Sequence, residues 1–384
     1  MTDDTPPTDT TLPAPPGTAA HDAREDPADS GCSRYNVGLD ALAPSAVVDP
    51  AAIIRTFAFD ACTASLPAST ALALRSNPHV RYVEPDYRMR PGATGTRPAS
   101  GVSVDPRDTD WNATRVGADV AHLHGFLGDG CTVAVLDSGV APDHPAVPVA
   151  GGHAVVESRF REGPAWADDM GHGTHVAGVI SANRDADAPT GIAPEATLYA
   201  VKVLDATGHG RQSATARGLE AAVERDCDVA NLSIGDVYPS ALLHDALRYA
   251  RSNDLLPVVA AGNEGPTRNS VTTPGRSPTA LTVAALTRKD RLARFSSRGG
   301  QVDIAAPGRD ITSTVPGGLG TKRGTSMAAP HVTGGAVVLR GGGRSADVTA
   351  ASLLRSTAAL PLPPTEQGLG LLDIPTALQE TGLV

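Results

Sequence analysis

Three short segments present a carboxylate, an imidazole and an alcohol at the ends of predicted elements. The apolar run CTVAVL (131–136) ends in Asp137-Ser138-Gly139. The segment Gly171-His172-Gly173-Thr174-His175-Val176-Ala177-Gly178 opens one helical pattern. Gly324-Thr325-Ser326-Met327-Ala328-Ala329-Pro330-His331 opens another, with Pro330 expected in the first turn, where a residue lacking an N–H is tolerated. A serine hydroxyl is a poor nucleophile unless a base takes its proton, and the base needs a third group to fix its tautomer and stabilise its cation. Ser326, His172 and Asp137 supply those three roles in that order. At a helix start, Ser326 also turns its backbone N–H toward a developing oxyanion. Asn263, within Ala260-Ala261-Gly262-Asn263-Glu264-Gly265, offers a side-chain amide as a second donor.

These residues need a frame that brings distant segments together. CTVAVL, TLYAVKVL (197–204), DVANLS (228–233), LLPVVAA (255–261), ALTVAAL (280–286) and VDIAAP (302–307) are continuous apolar runs. Helical patterns at 173–183, 213–225 and 240–252 separate them. Strands apolar on both sides, alternating with helices, predict an α/β domain at 109–384. Its sheet is doubly wound and mostly parallel, with helices on both faces. Ligands in such sheets bind beyond the carboxyl ends of the strands, where Asp137 and Asn263 fall. Upstream, residues 34–90 read as a small α+β unit: RYNVGL and HVRYVEPDY as strands, LPASTALALRSN as a helix. Fewer than 60 residues make a marginal core. Residues 1–33, acidic and Pro-rich, read as a disordered tail, and 91–108 as a Gly/Pro/Ser-rich linker.

Asp-Ser-Gly, His-Gly-Thr-His-Val-Ala-Gly, Gly-Asn-Glu-Gly and Gly-Thr-Ser-Met-Ala-Ala-Pro-His-Val, in this order, resemble the signature of subtilisin-like serine proteases. The Asp…His…Ser order is that of the subtilisins. The resemblance covers about residues 110–380 and implies a serine endopeptidase acting on protein or peptide substrates. By the resemblance, Asp137 orients the base, His172 is the base and then the acid, Ser326 is the acylated nucleophile and Asn263 is the oxyanion donor. Gly208, His209 and Gly210, facing Ser233, Ile234 and Gly235, match two edges that hold an extended peptide, with Ala261 and Gly262 beside the primary pocket. NPHVRYVEPDY resembles the last strand of the family's inhibitory propeptides. The unit at 34–90 is thus implied to be the chain's own propeptide partner, and 91–108 to hold the self-cleavage region. Gly368-Leu369-Gly370 resembles the family's closing turn. No cofactor is required for this chemistry. Structural calcium is the family's option, but Ala146 follows His144-Pro145 where an acid is usual, and Asp185 and Asp187 alone fall short of the six to eight oxygens calcium needs. Asp236 and Glu264 place two acids near the expected pocket and suggest a leaning toward basic or polar residues at the cleaved position.

Other classes fit less well. The formal net charge of −10 and the lack of a basic stripe argue against nucleic-acid binding. No apolar run reaches the roughly 18–20 residues of a membrane span. The first residues, MTDDTPPTDT, show no signal peptide, although family members are mostly exported. Cys32, Cys62, Cys131 and Cys227 form no CxxC pair and read as buried thiols, a Cys131–Cys227 bridge being unsupported. His172 and His175 lack the HExxH context of a zinc pair; the resemblance assigns the second to a helix interior, and His331 reads as structural. GGLGTKRGTS (317–326) lacks the ending of a phosphate loop. Taken singly, Asp137, Ser326 and Asn263 would be ordinary cap or turn residues; the ordered set argues for chemistry. A silent binding module of the same fold and a transpeptidase using the same residues are the alternatives, and a monomer is expected.

Overall fold

A computed structural model describes residues 32–91, 97–98, 110–156, 164–184 and 187–384, with backbone only at 97–98. The expected tail, except Cys32 and Ser33, therefore lies outside the described residues, as do most of the linker and Asp185. In chain order the first unit holds β1 (Cys32–Leu39), β2 (Ile53–Phe57), β3 (Ala61–Pro67), α1 (Ala68–Leu74), β4 (Val80–Pro85) and β5 (Arg88–Pro91). After the two-residue β6 (Arg97–Pro98) come α2 (Trp111–Arg115), α3 (Ala118–Leu123), β7 (Thr132–Asp137), β8 (Val149–Ala154), α4 (Gly173–Ser181) and β9 (Thr197–Lys202). Next follow β10 (Gly210–Arg211), α5 (Gln212–Glu224), β11 (Val229–Leu232), β12 (Ile234–Gly235), α6 (Ala241–Ser252), β13 (Leu256–Ala260), β14 (Leu281–Leu286) and β15 (Ile304–Pro307). The chain closes with β16 (Ile311–Val315), β17 (Gly318–Lys322), α7 (Thr325–Arg340), α8 (Ala346–Arg355), α9 (Pro364–Gln367) and α10 (Ile374–Glu380).

Among the described residues the large sheet has seven strands in the order β15-β14-β13-β11-β7-β9-β8, every pairing parallel. The α/β class expected from the apolar runs is the one observed. All six runs form strands; the seventh, β8, was not anticipated. Its sequence VAGGHA is neither apolar nor β-branched throughout, and as an edge strand it has to cover only one neighbour. β7 sits where the chain order turns, with β9 on one side and β11 on the other, so its carboxyl end opens into a crevice. One face of the sheet packs on α7, which is buried along its whole length; the other packs on α5 and α6.

Residues 32–91 build an antiparallel sheet in the order β2-β3-β1-β4 with α1 against it. Val37, Leu39, Cys62, Ala64, Leu66, Ala71 and Val83 are buried on one side of it. β2 and β3 escaped the sequence reading, because IIRTF alternates inward and outward and ACTASLP is made mostly of small residues interrupted by Thr63 and Ser65. On the other side, Phe57 and Ala61 belong to the same buried cluster as Leu219 of α5 and Leu242, Leu243 and Ala246 of α6.

The join is also polar. The Glu84 carboxylate accepts from Ser240 Oγ (2.9 Å), Ala241 N (2.8 Å) and Leu242 N (3.1 Å), capping α6. Asp86 accepts from Ser213 N (2.9 Å) and Ser213 Oγ (2.7 Å) in the first turn of α5. Burial pushes the Glu84 carboxyl up, and the three donors pull it partly back. Arg81 pairs with Asp245 at 2.8 Å, and Tyr82 donates to the same carboxylate.

Candidate active site

Asp137 ends β7 with no exposure and accepts from Ser138 N at 2.7 Å. His172 precedes α4, 1% exposed, and its Nδ1 lies 2.7 Å and 2.9 Å from the two Asp137 oxygens. Nδ1 must carry the proton in this contact, which leaves Nε2 as the basic nitrogen. Nε2 is buried and has no hydrogen-bond partner. The close approach needs a glycine next door: a Cβ on Gly173 would lie 2.0 Å from Gly139 O and 3.0 Å from Asp137 Cβ.

Ser326 is the second residue of α7 and is fully buried. Its hydroxyl does not bond to His172, contrary to the expected relay; it donates to Ser233 O at 2.9 Å. In return Ser233 Oγ donates to Ser326 O at 2.9 Å. The reason for the second bond is Pro330, which lies in the second turn of α7 and not in the first, as expected. Its missing N–H would have served Ser326 O, four residues earlier, and the Ser233 hydroxyl takes its place.

Asn263 follows β13. Its Oδ1 accepts from Thr325 N (3.0 Å) and Thr325 Oγ1 (3.1 Å), which orients the amide. Gly262 N donates to Thr325 Oγ1 at 3.1 Å, and buried Ala261 accepts from Thr272 N. The start of α7 is thus tied to the strand end that carries Asn263.

Sequence reasoning missed Asp168. This buried carboxylate accepts from Ser138 Oγ (2.9 Å), Met170 N (3.0 Å), Gly171 N (2.8 Å), Thr174 N (2.9 Å) and Thr174 Oγ1 (2.5 Å). It clamps the loop on both sides of His172. The available signal was an Asp shortly before a helix start, where such side chains cap. Behind it, Lys202 is wholly buried and bonds Asp169 (2.7 Å) and Ser138 O (2.5 Å). Burial pushes Lys322 down, while Asp168 and Asp137 push it back up. His175 is pushed down to about 3 by burial, with Lys322 and His172 adding to the effect; it remains neutral, its Nε2 against Ile311 O and Gly320 O. His331, pushed down to about 4 by burial, bonds Met327 O and Asn112. Both are structural in contact, and among the described residues no group of His, Cys, Asp or Glu is arranged to hold a metal ion. Ala146 is buried and has no ligating oxygen in its side chain; Asp187 is exposed, and Asp185 lies outside the described residues. All four cysteines are free thiols, so Cys131 and Cys227 are not bridged.

Beside Asn263 runs a cleft of about 510 Å³, lined by Met170, Gly208, His209, Ile234, Gly235, Gly262, Asn263 and Thr272 among others. Its two edges are β10 and β12, and β5 lies between them as the middle strand of a three-stranded sheet. Met89 stands opposite Gly210 and Arg88 opposite Arg211; Pro91 stands opposite Ile234 and Arg90 opposite Gly235. His209 is fixed by its N–H to Asp205 Oδ1 and by Nδ1 against Thr207 Oγ1. Asp236 faces Arg90 and Arg276, and burial raises it; Glu264 is exposed at the rim. The acid expected near the cleaved position thus stands beside an arginine of β5.

The subtilase-family model matches residues 128–370. This chain belongs to the subtilase family. That family consists of serine-type endopeptidases. An alkaline protease of Alkalihalobacillus alcalophilus is 40% identical over 269 residues, 70% of this chain and 66% of that protein. Subtilisin E of Bacillus subtilis (strain 168) is 37% identical over 283 residues, 73% of this chain and 70% of that protein. Subtilisin Savinase of Lederbergia lenta is 43% identical over 231 residues, 60% of this chain and 83% of that protein. In the subtilase described here, no helix among the described residues is long and apolar enough to cross a membrane.

Proposed function

We propose that this subtilase is a serine endopeptidase formed as a self-inhibited precursor. Residues 34–90 act as the propeptide, 91–108 contain the bond it cuts in itself, and 109–384 carry the chemistry. Ser326 Oγ attacks the peptide carbonyl carbon as His172 Nε2 takes its proton, and the carbonyl π pair moves onto oxygen. The Ser326 N–H and Asn263 Nδ2 stabilise that oxyanion. The C–N bond then breaks, His172 returns the proton to the leaving amine, and an ester remains on Ser326. Water repeats the sequence and frees the acid. Asp137 holds the Nδ1 proton and stabilises the imidazolium at each stage.

The observation that carries the reading is β5, a peptide strand hydrogen-bonded on both sides between β10 and β12, ending beside Ser233 and hence beside Ser326. This is the extended form in which a substrate is held by added-strand pairing. The buried, unpartnered Nε2 of His172 supports the role of base. To reach it the Ser326 hydroxyl turns away from Ser233 O, a rotation between staggered wells.

The test is labelling with a serine-reactive phosphonate. Wild type should be labelled and should shorten by roughly ten kilodaltons, as loss of about 100 residues requires. Ser326→Ala should take no label and stay full length, with peptide hydrolysis down on the order of 10⁶, the value known for a subtilisin's serine. Label retained in the variant would overturn the nucleophile. A wild type that never shortens would overturn the precursor reading.

A further inference from the structure

We propose that Tyr238 forms a subsite that selects an aromatic side chain in the peptides this cleft takes, two residues upstream of a buried apolar one. The inference rests on the reading of the cleft as the substrate site. β5 shows what the cleft holds. Its main chain pairs with β10 through Met89 and Arg88, and the run continues upstream, because Gln212 N donates to Tyr87 O at 3.0 Å. In an extended strand alternate side chains share a face. Met89 is completely buried against the protein, while Arg88 and Arg90 point out and are exposed. Tyr87 falls on the same side as Met89 and meets Tyr238, with ring centroids 4.2 Å apart and planes 11° from parallel.

Tyr238 is built to receive it. Its N–H donates to Asp236 Oδ1 at 3.1 Å, and Asp236 is itself held by two backbone bonds to Thr273 at 2.9 Å and 2.8 Å. The main chain that carries the ring is therefore held next to Val237, which lines the cleft. Even with Tyr87 stacked on it, Tyr238 is 37% exposed, and its neighbour Val237 is 44% exposed. Departure of β5 would bare more of an apolar surface already unusual at a rim. A peptide of the pattern aromatic-x-apolar-x would cover it again. The chemical class selected is a polypeptide segment with Tyr, Phe or Trp at that place.

The experiment uses the full chain after it has shed its N-terminal unit, with phosphonate labelling to count working sites. Two internally quenched peptides are compared: one with the sequence of residues 87–94, the other with alanine in place of its tyrosine. Wild type should cut the tyrosine peptide with kcat/KM about 3- to 10-fold higher, the range expected of one aromatic pair. Tyr238→Ala should bring the tyrosine peptide down to the rate of the alanine peptide, and Tyr238→Phe should restore the difference. Equal rates in wild type, or a preference that survives Tyr238→Ala, would overturn the subsite while leaving the peptidase reading intact. No labelling and no cleavage of either peptide would overturn both.

Discussion

Residues 32–91 close over a thin core of Val, Leu, Ala and Cys side chains on one side of a four-stranded sheet, and lay the other side on α5 and α6. Residues 110–384 enclose a parallel sheet between helices on both faces, with α7 buried from end to end. The larger region supplies its own interior. The smaller one borrows the surface of the larger, and ties itself down with Glu84 and Asp86 at two helix starts. Charged acceptors on otherwise unsatisfied N–H groups are worth more than neutral ones, but they last only while both parts stay docked. On the precursor reading proposed above, a unit held in this way is the part that leaves, and the sheet is the part that stays.

Three changes would break or sharpen this contrast. The largest effect belongs to Asn263→Ala, whose side chain serves the large region alone. We expect kcat to fall by about 10²–10³, the loss known for the corresponding asparagine of a subtilisin, with docking of residues 32–91 unchanged by hydrogen exchange. An unaltered kcat would remove Asn263 from the oxyanion role. Next comes the reactivity of the buried thiols in the uncut Ser326→Ala chain. Burial pushes Cys62 and Cys131 up to about 11 and Cys227 up to about 12, so each reacts only when its region opens. Cys62 should be labelled on the order of 10² faster than Cys227, because sub-regions open with different free energies. Equal rates would mean that both regions unfold as one. The smallest effect is that of Glu84→Ala in the same uncut chain. Loss of the charged cap costs about 2 kcal/mol, or roughly 30-fold in the opening equilibrium. Faster exchange confined to β1–β4 would match the contrast, and faster exchange spread through β7, β11 and β13 would contradict it.

What could be read in the sequence follows the same divide. Both-sided burial makes β7, β9, β11, β13, β14 and β15 continuous apolar runs, so the sheet was legible. The edge strands β2 and β8 carry weaker patterns and were not seen; β3, interior and mostly buried, was missed because its residues are small and interrupted by Thr63 and Ser65. Asp137, His172, Ser326 and Asn263 were singled out by residue type and order; His172 meets Asp137, and Asn263 is tied to the start of α7 through Thr325, while the Ser326 hydroxyl bonds Ser233 O. The clamp formed by Asp168 was missed, because an acid near a helix start is an ordinary residue until its five donors are known. The position of Pro330 was misjudged for a related reason. A proline inside a helix looks forbidden until a distant donor replaces the lost bond.

That replacement joins two places in the chain that no local rule connects. A hydroxyl at position 233 is required because a proline, which has no N–H, occupies position 330, and the oxygen left without its helix donor belongs to Ser326. Exchanging Ser233 alone strands that oxygen, whereas exchanging both lets the helix repair itself with its own amide. Mutational tolerance at the cleft wall is therefore written partly in the interior of a helix.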